Sequence, residues 1–272
     1  LARNIRLLIL DVDGTLIGSS GVPSPAVSEA LLRAQQHEIR VALCTGRPMA
    51  SCGKIALGLG LAGPHVAFNG ALVKDPRQAG AVFRRPLPPA DLDRLIELSR
   101  AEDVCLELYT EATHFVERDW RESRLHAISI RVSYELADFD DFFGRTDVVK
   151  GQIITADERA HQATRRIGDS LAGRLRFSVA IPMAPCEGME CVNVVEDSVS
   201  KASAVRALID YYGVSREQVA GVGDALNDLP MLAEVGWRVA MGNAEAPVKA
   251  EADYVCPGVE EDGLVAVVNT II

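Results

Sequence analysis

At 272 residues the chain has room for one large domain or two smaller ones, and at 48% hydrophobic residues it has material for a sizeable core. Charged residues at 24% and aromatics at 5% exclude a disordered chain and suit an α/β protein. The net charge is −10, and Lys and Arg never gather beyond pairs such as Arg84-Arg85 and Arg165-Arg166, which argues against a nucleic acid or an anionic membrane as partner.

Strand and helix signals alternate at first. Residues 7–12 read as a buried strand, 24–37 as a helix opened by Ser24 with Pro25 at its first position, and 40–44 as a second strand. A helix at 48–57 and a third strand at 66–68 follow, and such alternation predicts a parallel sheet covered by helices on both faces. Asn69-Gly70 marks a turn, with short antiparallel strands expected at 71–73 and 81–83. Gly58-Leu59-Gly60-Leu61-Ala62-Gly63 has the spacing of a dinucleotide fingerprint, but it follows a helix and precedes Pro64 and a strand, so it reads as a loop. The uncharged stretch 55–73 is too broken by glycine, proline and polar residues to be a membrane span.

The rhythm changes at Arg85-Pro86-Leu87-Pro88-Pro89, a stiff, linker-like segment. Beyond it come a helix at 90–101, strands at 104–109, 114–117 and 151–156, a helix at 157–171, and strands at 175–181 and 191–195, an α+β module. The first rhythm then returns with a helix at 201–212, a strand at 219–222, a helix at 227–235, a strand at 238–241 and a last helix at 263–271. One domain, residues 1–85 and 196–272, is therefore expected to be split by another, residues 86–195.

The six cysteines lack any C-x-x-C pair or zinc-like spacing with the five histidines, which predicts reduced thiols in a cytoplasmic protein. No basic segment precedes an apolar one at the amino end, so no secretory signal is expected. Trp120, Trp237, His114 and His126 read as cap or core packing rather than ligands, with His114 also placed where it could face the cleft.

The chemistry is concentrated in Asp11-Val12-Asp13-Gly14-Thr15, directly behind the first strand. Alternate strand residues share a face, so Asp11 and Asp13 converge, and their repulsion must be offset by a cation, by a proton held on one of them, or by both. Thr45-Gly46-Arg47, Lys201 and Gly223-Asp224-Ala225-Leu226-Asn227-Asp228 also follow predicted strands or start a helix, where ligands bind in open parallel sheets. Asp11 is ionised at neutral pH and can attack phosphorus without a general base. A hard cation such as Mg2+ would relieve its repulsion from phosphate, with Asp11, Asp13 and Asp224 as ligand candidates and Asn227 and Asp228 nearby. Thr45 offers a hydroxyl, Gly46 an unobstructed N–H, Lys201 a mobile positive charge, and Asp13 a carboxyl suited to proton transfer.

These residues, in this order, resemble those of the haloacid dehalogenase-like hydrolases, and the long insertion between Thr45-Gly46-Arg47 and Lys201 resembles that of the Cof-type subfamily. Asn69-Gly70-Ala71 and the Gly223–Asp228 run are also typical of that group, so the likeness covers essentially the whole chain. The resemblance implies a Rossmann-like, doubly wound parallel-sheet core with an inserted α+β cap, and Mg2+-dependent hydrolysis of a small phosphorylated metabolite, a sugar phosphate or phosphorylated cofactor, through a phospho-aspartate on Asp11. It further implies that Asp13 meets the metal through its backbone carbonyl. The site expected on these grounds comprises Asp11, Asp13, Thr45 and Lys201 as catalytic residues, Gly46, Arg47, Asn69, Gly70 and Asn227 against substrate, and Asp11, Asp13, Asp224 and Asp228 about the metal. The chain departs from the Cof-type pattern at Asn193, where a glutamate is usual, and at Ser198-Val199-Ser200-Lys201, where Gly-Val-Ser-Lys is usual. Tyr109, Glu111, His114, Glu187, Met189 and Asn193 are candidates for substrate selection. A phosphomutase using the same aspartyl phosphate, or a non-catalytic Mg2+ or phosphometabolite-binding module, are the alternative readings.

Overall fold

A computed structural model describes residues 4–180, 186 and 188–272. Its backbone contacts form two units, one of Leu1–Gly46, Cys52–Phe83 and Ser200–Ile272, the other of Arg47–Ser51 and Arg84–Val199.

The chain begins with β1 (Leu7–Leu10), every residue of which is buried. In α1 (Pro25–Gln36), Ser24 stays extended and its hydroxyl accepts the Val27 N–H at 3.1 Å, while Pro25 occupies a position that needs no donor. Val27, Ala30, Leu31 and Ala34 supply the buried stripe of that helix. Next come β2 (Arg40–Leu43), α2 (Met49–Gly58), β3 (His65–Ala67), β4 (Leu72–Lys74) and β5 (Ala81–Arg84). The expected third strand lies beside β2 in the parallel sense, through the bridge Cys44–Val66 and the Thr45 N–H to the Val66 carbonyl, and it also pairs antiparallel with β4, in a three-stranded sheet with β5. Phe68 and Asn69 take left-handed conformations, φ 53° and 56°, which turn the chain from β3 back into β4.

The second unit holds α3 (Pro89–Ala101), β6 (Cys105–Tyr109), β7 (His114–Val116), α4 (Arg121–Ile130), β8 (Glu135–Leu136), β9 (Lys150–Thr155), α5 (Glu158–Ser170), β10 (Leu175–Ala180) and β11 (Glu190–Glu196). The strand expected at 175–181 ends in a residue outside those described. The sheet order is β10-β11-β9-β6-β7-β8, antiparallel except for β7 beside β8. One face packs Leu106, Leu108, Ile153, Val192 and Val194 with Leu92, Leu95, Ile96 and Ile167 of α3 and α5. Helix α4 has no counterpart in the sequence reading, because the residues it buries, Ser123 and His126, are polar and leave no apolar period.

Back in the first unit follow α6 (Lys201–Tyr212), β12 (Val219–Gly223), α7 (Leu229–Leu232), β13 (Trp237–Ala240), α8 (Ala246–Glu251), β14 (Tyr254–Val255) and α9 (Gly263–Ile271). The sheet runs β14-β13-β12-β1-β2, all parallel, so β1 is an interior strand between β12 and β2, and its unbroken apolar run is what a strand covered on both faces requires. The helix expected at 227–235 is shorter than predicted. A tight turn at Leu226–Asp228 precedes α7, and the Gly236 N–H reaches the carbonyls of Arg216 and Val219, drawing the chain out of helix. Among the described residues no helix is long and apolar enough to cross a membrane.

Candidate active site

Five chain segments of the first unit end at the carboxyl edge of its strands, carrying Asp11 after β1, Thr45 and Gly46 after β2, Asn69 and Gly70 after β3, Asp224 after β12 and Asn243 after β13. The sheet fixes their spacing: the Asp11 N–H bonds to the Val222 carbonyl at 3.0 Å and the Thr45 N–H to the Val66 carbonyl at 3.1 Å.

The centre is a buried cluster of charge. Lys201 Nζ donates to Asp11 Oδ1 and to Asp228 Oδ1, each at 2.5 Å. Asp11, Lys201 and Asp228 are 6%, 2% and 0% exposed, so water screens these pairs little. Lys201 stands at the first position of α6, behind the N-cap Ser200, where the helix end disfavours a cation. The two carboxylates reverse that: burial alone would lower the ammonium, but Asp11 and Asp228 hold it well above the ordinary lysine range. The second oxygen of Asp228 accepts the N–H groups of Asp224 at 3.0 Å and Ala225 at 3.1 Å. Asp228 therefore anchors both Lys201 and the loop that carries Asp224.

Asp11, Asp224 and Asp228 each present an oxygen within 4.8 Å of the others. Burial, with the charge of Asp228 next, raises the Asp11 carboxyl well above its ordinary range despite Lys201. Burial also lifts Asp224 to about 6, against a hydrogen bond from Thr15 Oγ1 to Asp224 Oδ1 at 2.8 Å, with Asp228 adding repulsion. One ammonium for three carboxylates leaves a surplus of negative charge, and a donor set made only of oxygens suits a hard divalent cation such as Mg2+. Asp13 is half-buried and stands outside this trio, two residues beyond Asp11.

Glycine shapes the rim in two places. Gly14, at φ +83°, leaves the space that the Asp224 carboxylate fills, and its carbonyl accepts from Asn243 Nδ2 at 2.8 Å. Gly70, at φ +108°, passes so close to the Ser200 carbonyl that a Cβ would collide with it, which seats the start of α6 against the β3–β4 turn. A Cβ on Gly46 would come within 2.7 Å of Asn69 Oδ1, and the Asn69 N–H bonds to the Thr45 carbonyl at 3.1 Å, so Thr45, Gly46 and Asn69 form one corner.

Arg47 follows Gly46 and puts Nη1 within 3.4 Å of Ser51 Oγ. Asn227 lies in the turn before α7 and is exposed. Thr15 and Asn243 were given no role by sequence reasoning; the signal for Asn243 was its place after a strand end, in Met241-Gly242-Asn243. Of the selection candidates in the second unit, Tyr109, His114, Met189 and Asn193 are buried, Glu111 lies 3.5 Å from Arg84, and Glu187 is outside the described residues.

A family model described as haloacid dehalogenase-like hydrolase matches residues 8–268. The 5-amino-6-(5-phospho-D-ribitylamino)uracil phosphatase YitU of Bacillus subtilis is 28% identical over 262 residues, 95% of this chain and 94% of that protein. The pyridoxal phosphate phosphatase YbhA of Escherichia coli is 24% identical over 266 residues, 92% of each. Among solved structures, the subclass IIB sugar phosphatase BT4131 superposes with a TM-score of 0.83 at 20% identity, covering 98% of this chain and 100% of its own.

Proposed function

We propose that this chain, which belongs to the haloacid dehalogenase-like hydrolases as a Cof-type phosphatase, removes the phosphoryl group from a small phosphorylated metabolite through an aspartyl phosphate on Asp11. The observation that carries the reading is the buried bridge of Lys201 between Asp11 and Asp228 beside Asp224, which fixes the Asp11 carboxylate next to an all-oxygen cluster whose surplus negative charge a hard cation would offset.

In this reading an Asp11 carboxylate oxygen forms a bond to phosphorus as the bond from phosphorus to the substrate oxygen breaks. Asp13 delivers a proton to the departing oxygen and then takes one from the water that attacks phosphorus, breaking the link to Asp11 and releasing phosphate. Lys201 orients Asp11 and balances charge as the phosphoryl group transfers. Thr45, with the N–H of Gly46, is assigned to the phosphoryl oxygens, and Arg47, Asn69, Gly70 and Asn227 to substrate. Asp11 and Asp224 would hold Mg2+, with Asp228 beside them and the Asp13 carbonyl as a further donor. When bound, the ion would neutralise phosphate charge and favour the ionised, nucleophilic form of Asp11. Residues 86–195 are assigned as the cap that selects the substrate, and the cytoplasm as the compartment.

The names of the relatives, a 5-amino-6-(5-phospho-D-ribitylamino)uracil phosphatase and a pyridoxal phosphate phosphatase, support phosphorylated ribityl compounds and phosphorylated cofactors as the first substrates to try, with sugar phosphates next. Phosphate release from such a panel, with Mg2+ or chelator, beside Asp11→Asn, tests the proposal. Turnover that needs Mg2+ and vanishes in the variant is expected; turnover retained by Asp11→Asn overturns the mechanism.

A further inference from the structure

The second unit contains a buried cluster that phosphoryl transfer does not use. Glu107 on β6, His114 on β7 and His126 on α4 are 0%, 1% and 5% exposed and bring one ligand atom each to within 4.8 Å of the others. A single oxygen, Glu107 Oε2, takes the Tyr109 hydroxyl at 2.6 Å and His126 Nδ1 at 2.8 Å, and His114 Nε2 lies 3.1 Å from it without hydrogen-bond geometry. Glu107 Oε1 and both nitrogens of His114 are buried and have no hydrogen-bond partner. An orphaned buried polar atom normally costs about 1–3 kcal/mol, and His114 Nε2, which faces the shared Glu107 oxygen without bonding to it, is a donor open to a missing group.

We propose that Glu107, His114 and His126 are the protein ligands of a borderline divalent cation of the Zn2+ class. Two imidazoles and one carboxylate form a donor set that such ions favour and that Mg2+ does not. Donor atoms now 2.8 and 3.1 Å apart would have to open to about 3.3–3.6 Å to surround one ion tetrahedrally at roughly 2.0–2.2 Å, a shift within reach of side-chain rotation. The outer partners are also present. Tyr109 orients Glu107, and its ring stacks on His114 with centroids 4.3 Å apart. The Gln152 amide lies 3.0 Å from His126 Nε2, and turned over it would accept that proton and leave Nδ1 for the metal. The ion would tie α4, whose fully buried residues Ser123 and His126 are polar and whose Leu125 packs beside Cys105 and Ile154, to β6 and β7.

The test uses the full chain, stripped with chelator and titrated with Zn2+ in the presence of excess Mg2+. One Zn2+ per chain is expected to bind and to raise the melting temperature, and X-ray absorption at the zinc edge should count two imidazole ligands. The cluster around Asp11 offers only oxygens, so the imidazole count separates the two sites without any variant. Binding should survive Asp224→Asn and weaken by at least about 100-fold in His114→Gln and in His126→Gln, beyond the usual effect of losing an outer partner. Should either glutamine variant fail to fold, absorption on the unaltered chain decides. Zinc ligated by oxygen alone, or zinc binding abolished by Asp224→Asn, overturns the proposal and leaves a Glu–His proton-sharing pair.

Discussion

Lys201 and Asp228 are 27 residues apart in sequence, yet the ammonium of one lies 2.5 Å from a carboxylate oxygen of the other, with the remaining oxygen of Asp228 fastened to two backbone N–H groups. Asp228 thus sets where the ammonium sits relative to Asp11. Asp228→Asn keeps the shape, removes one charge and lets Lys201 swing wholly to Asp11. Its kcat is expected to fall by roughly 10- to 100-fold with KM changed far less, whereas Asp11→Asn should leave no turnover. Asp228→Ala, which leaves Lys201 paired with Asp11 but strips the Asp224 and Ala225 N–H groups of their acceptor, should in addition lower stability by about 1–3 kcal/mol in urea unfolding. Equal kinetics in Asp228→Asn and the unaltered chain would remove Asp228 from the positioning role.

Gly70 was expected to touch substrate, but its geometry gives it a structural task as well. At φ +108°, with the Ser200 carbonyl against its Cα, it has no room for a side chain. Gly70→Ala must push back the first turn of α6 and with it Lys201. A stability loss of about 1–3 kcal/mol is expected, accompanied by a fall in kcat, because strain and the catalytic charge share one backbone contact. Loss of activity with unchanged unfolding would instead favour a purely substrate-facing role.

Thr15 holds Asp224 through one hydrogen bond, 2.8 Å long, that favours the ionised carboxylate. Thr15→Val removes the donor at nearly constant volume, so the Asp224 carboxyl should rise further and the Mg2+ concentration for half-maximal activity should increase by roughly 10-fold. Thr15→Ser keeps the hydroxyl and should behave like the parent. A Thr15→Val enzyme whose Mg2+ dependence is unchanged would show that Asp224 needs no such partner.

The cluster around Asp11 was legible in the sequence because its parts lie at strand ends, and strand ends follow from apolar runs: Leu7–Leu10 before Asp11, Arg40–Leu43 before Thr45, Val219–Gly223 before Asp224. Lys201 was legible as the first residue of the helix expected at 201–212, the place it holds in α6. What stayed hidden depends on side chains that do not repeat with the element that bears them. Helix α4 buries Ser123 and His126, so apolar periodicity could not reveal it, and the meeting of His114 and His126 at Glu107 joins three separate elements that no sequence spacing links. The turn from β3 into β4 rests on left-handed Phe68 and Asn69, and a phenylalanine gives no warning of positive φ.

His65 links acid sensitivity to the same sheet corner. Its ring is fully buried, and Nδ1 accepts the Leu43 N–H at 3.1 Å, which requires that nitrogen to be unprotonated. Burial, partly offset by Asp75, lowers His65 to about 4 from an ordinary value of 6.5. The unfolded chain therefore takes up a proton near pH 6.5 that the folded chain refuses until about pH 4. The stability from the neutral ring is complete above pH 6.5 and is lost as pH falls toward 4, by roughly 3 kcal/mol over the full window. Asn at position 65 can keep an acceptor for Leu43 without titrating. Urea unfolding of the parent and of His65→Asn between pH 7.5 and 5 should show the parent losing stability more steeply, whatever the absolute cost of the smaller side chain. Parallel profiles would mean that His65 takes up its proton at the same pH in both states, and that the Leu43 bond does not hold the ring neutral.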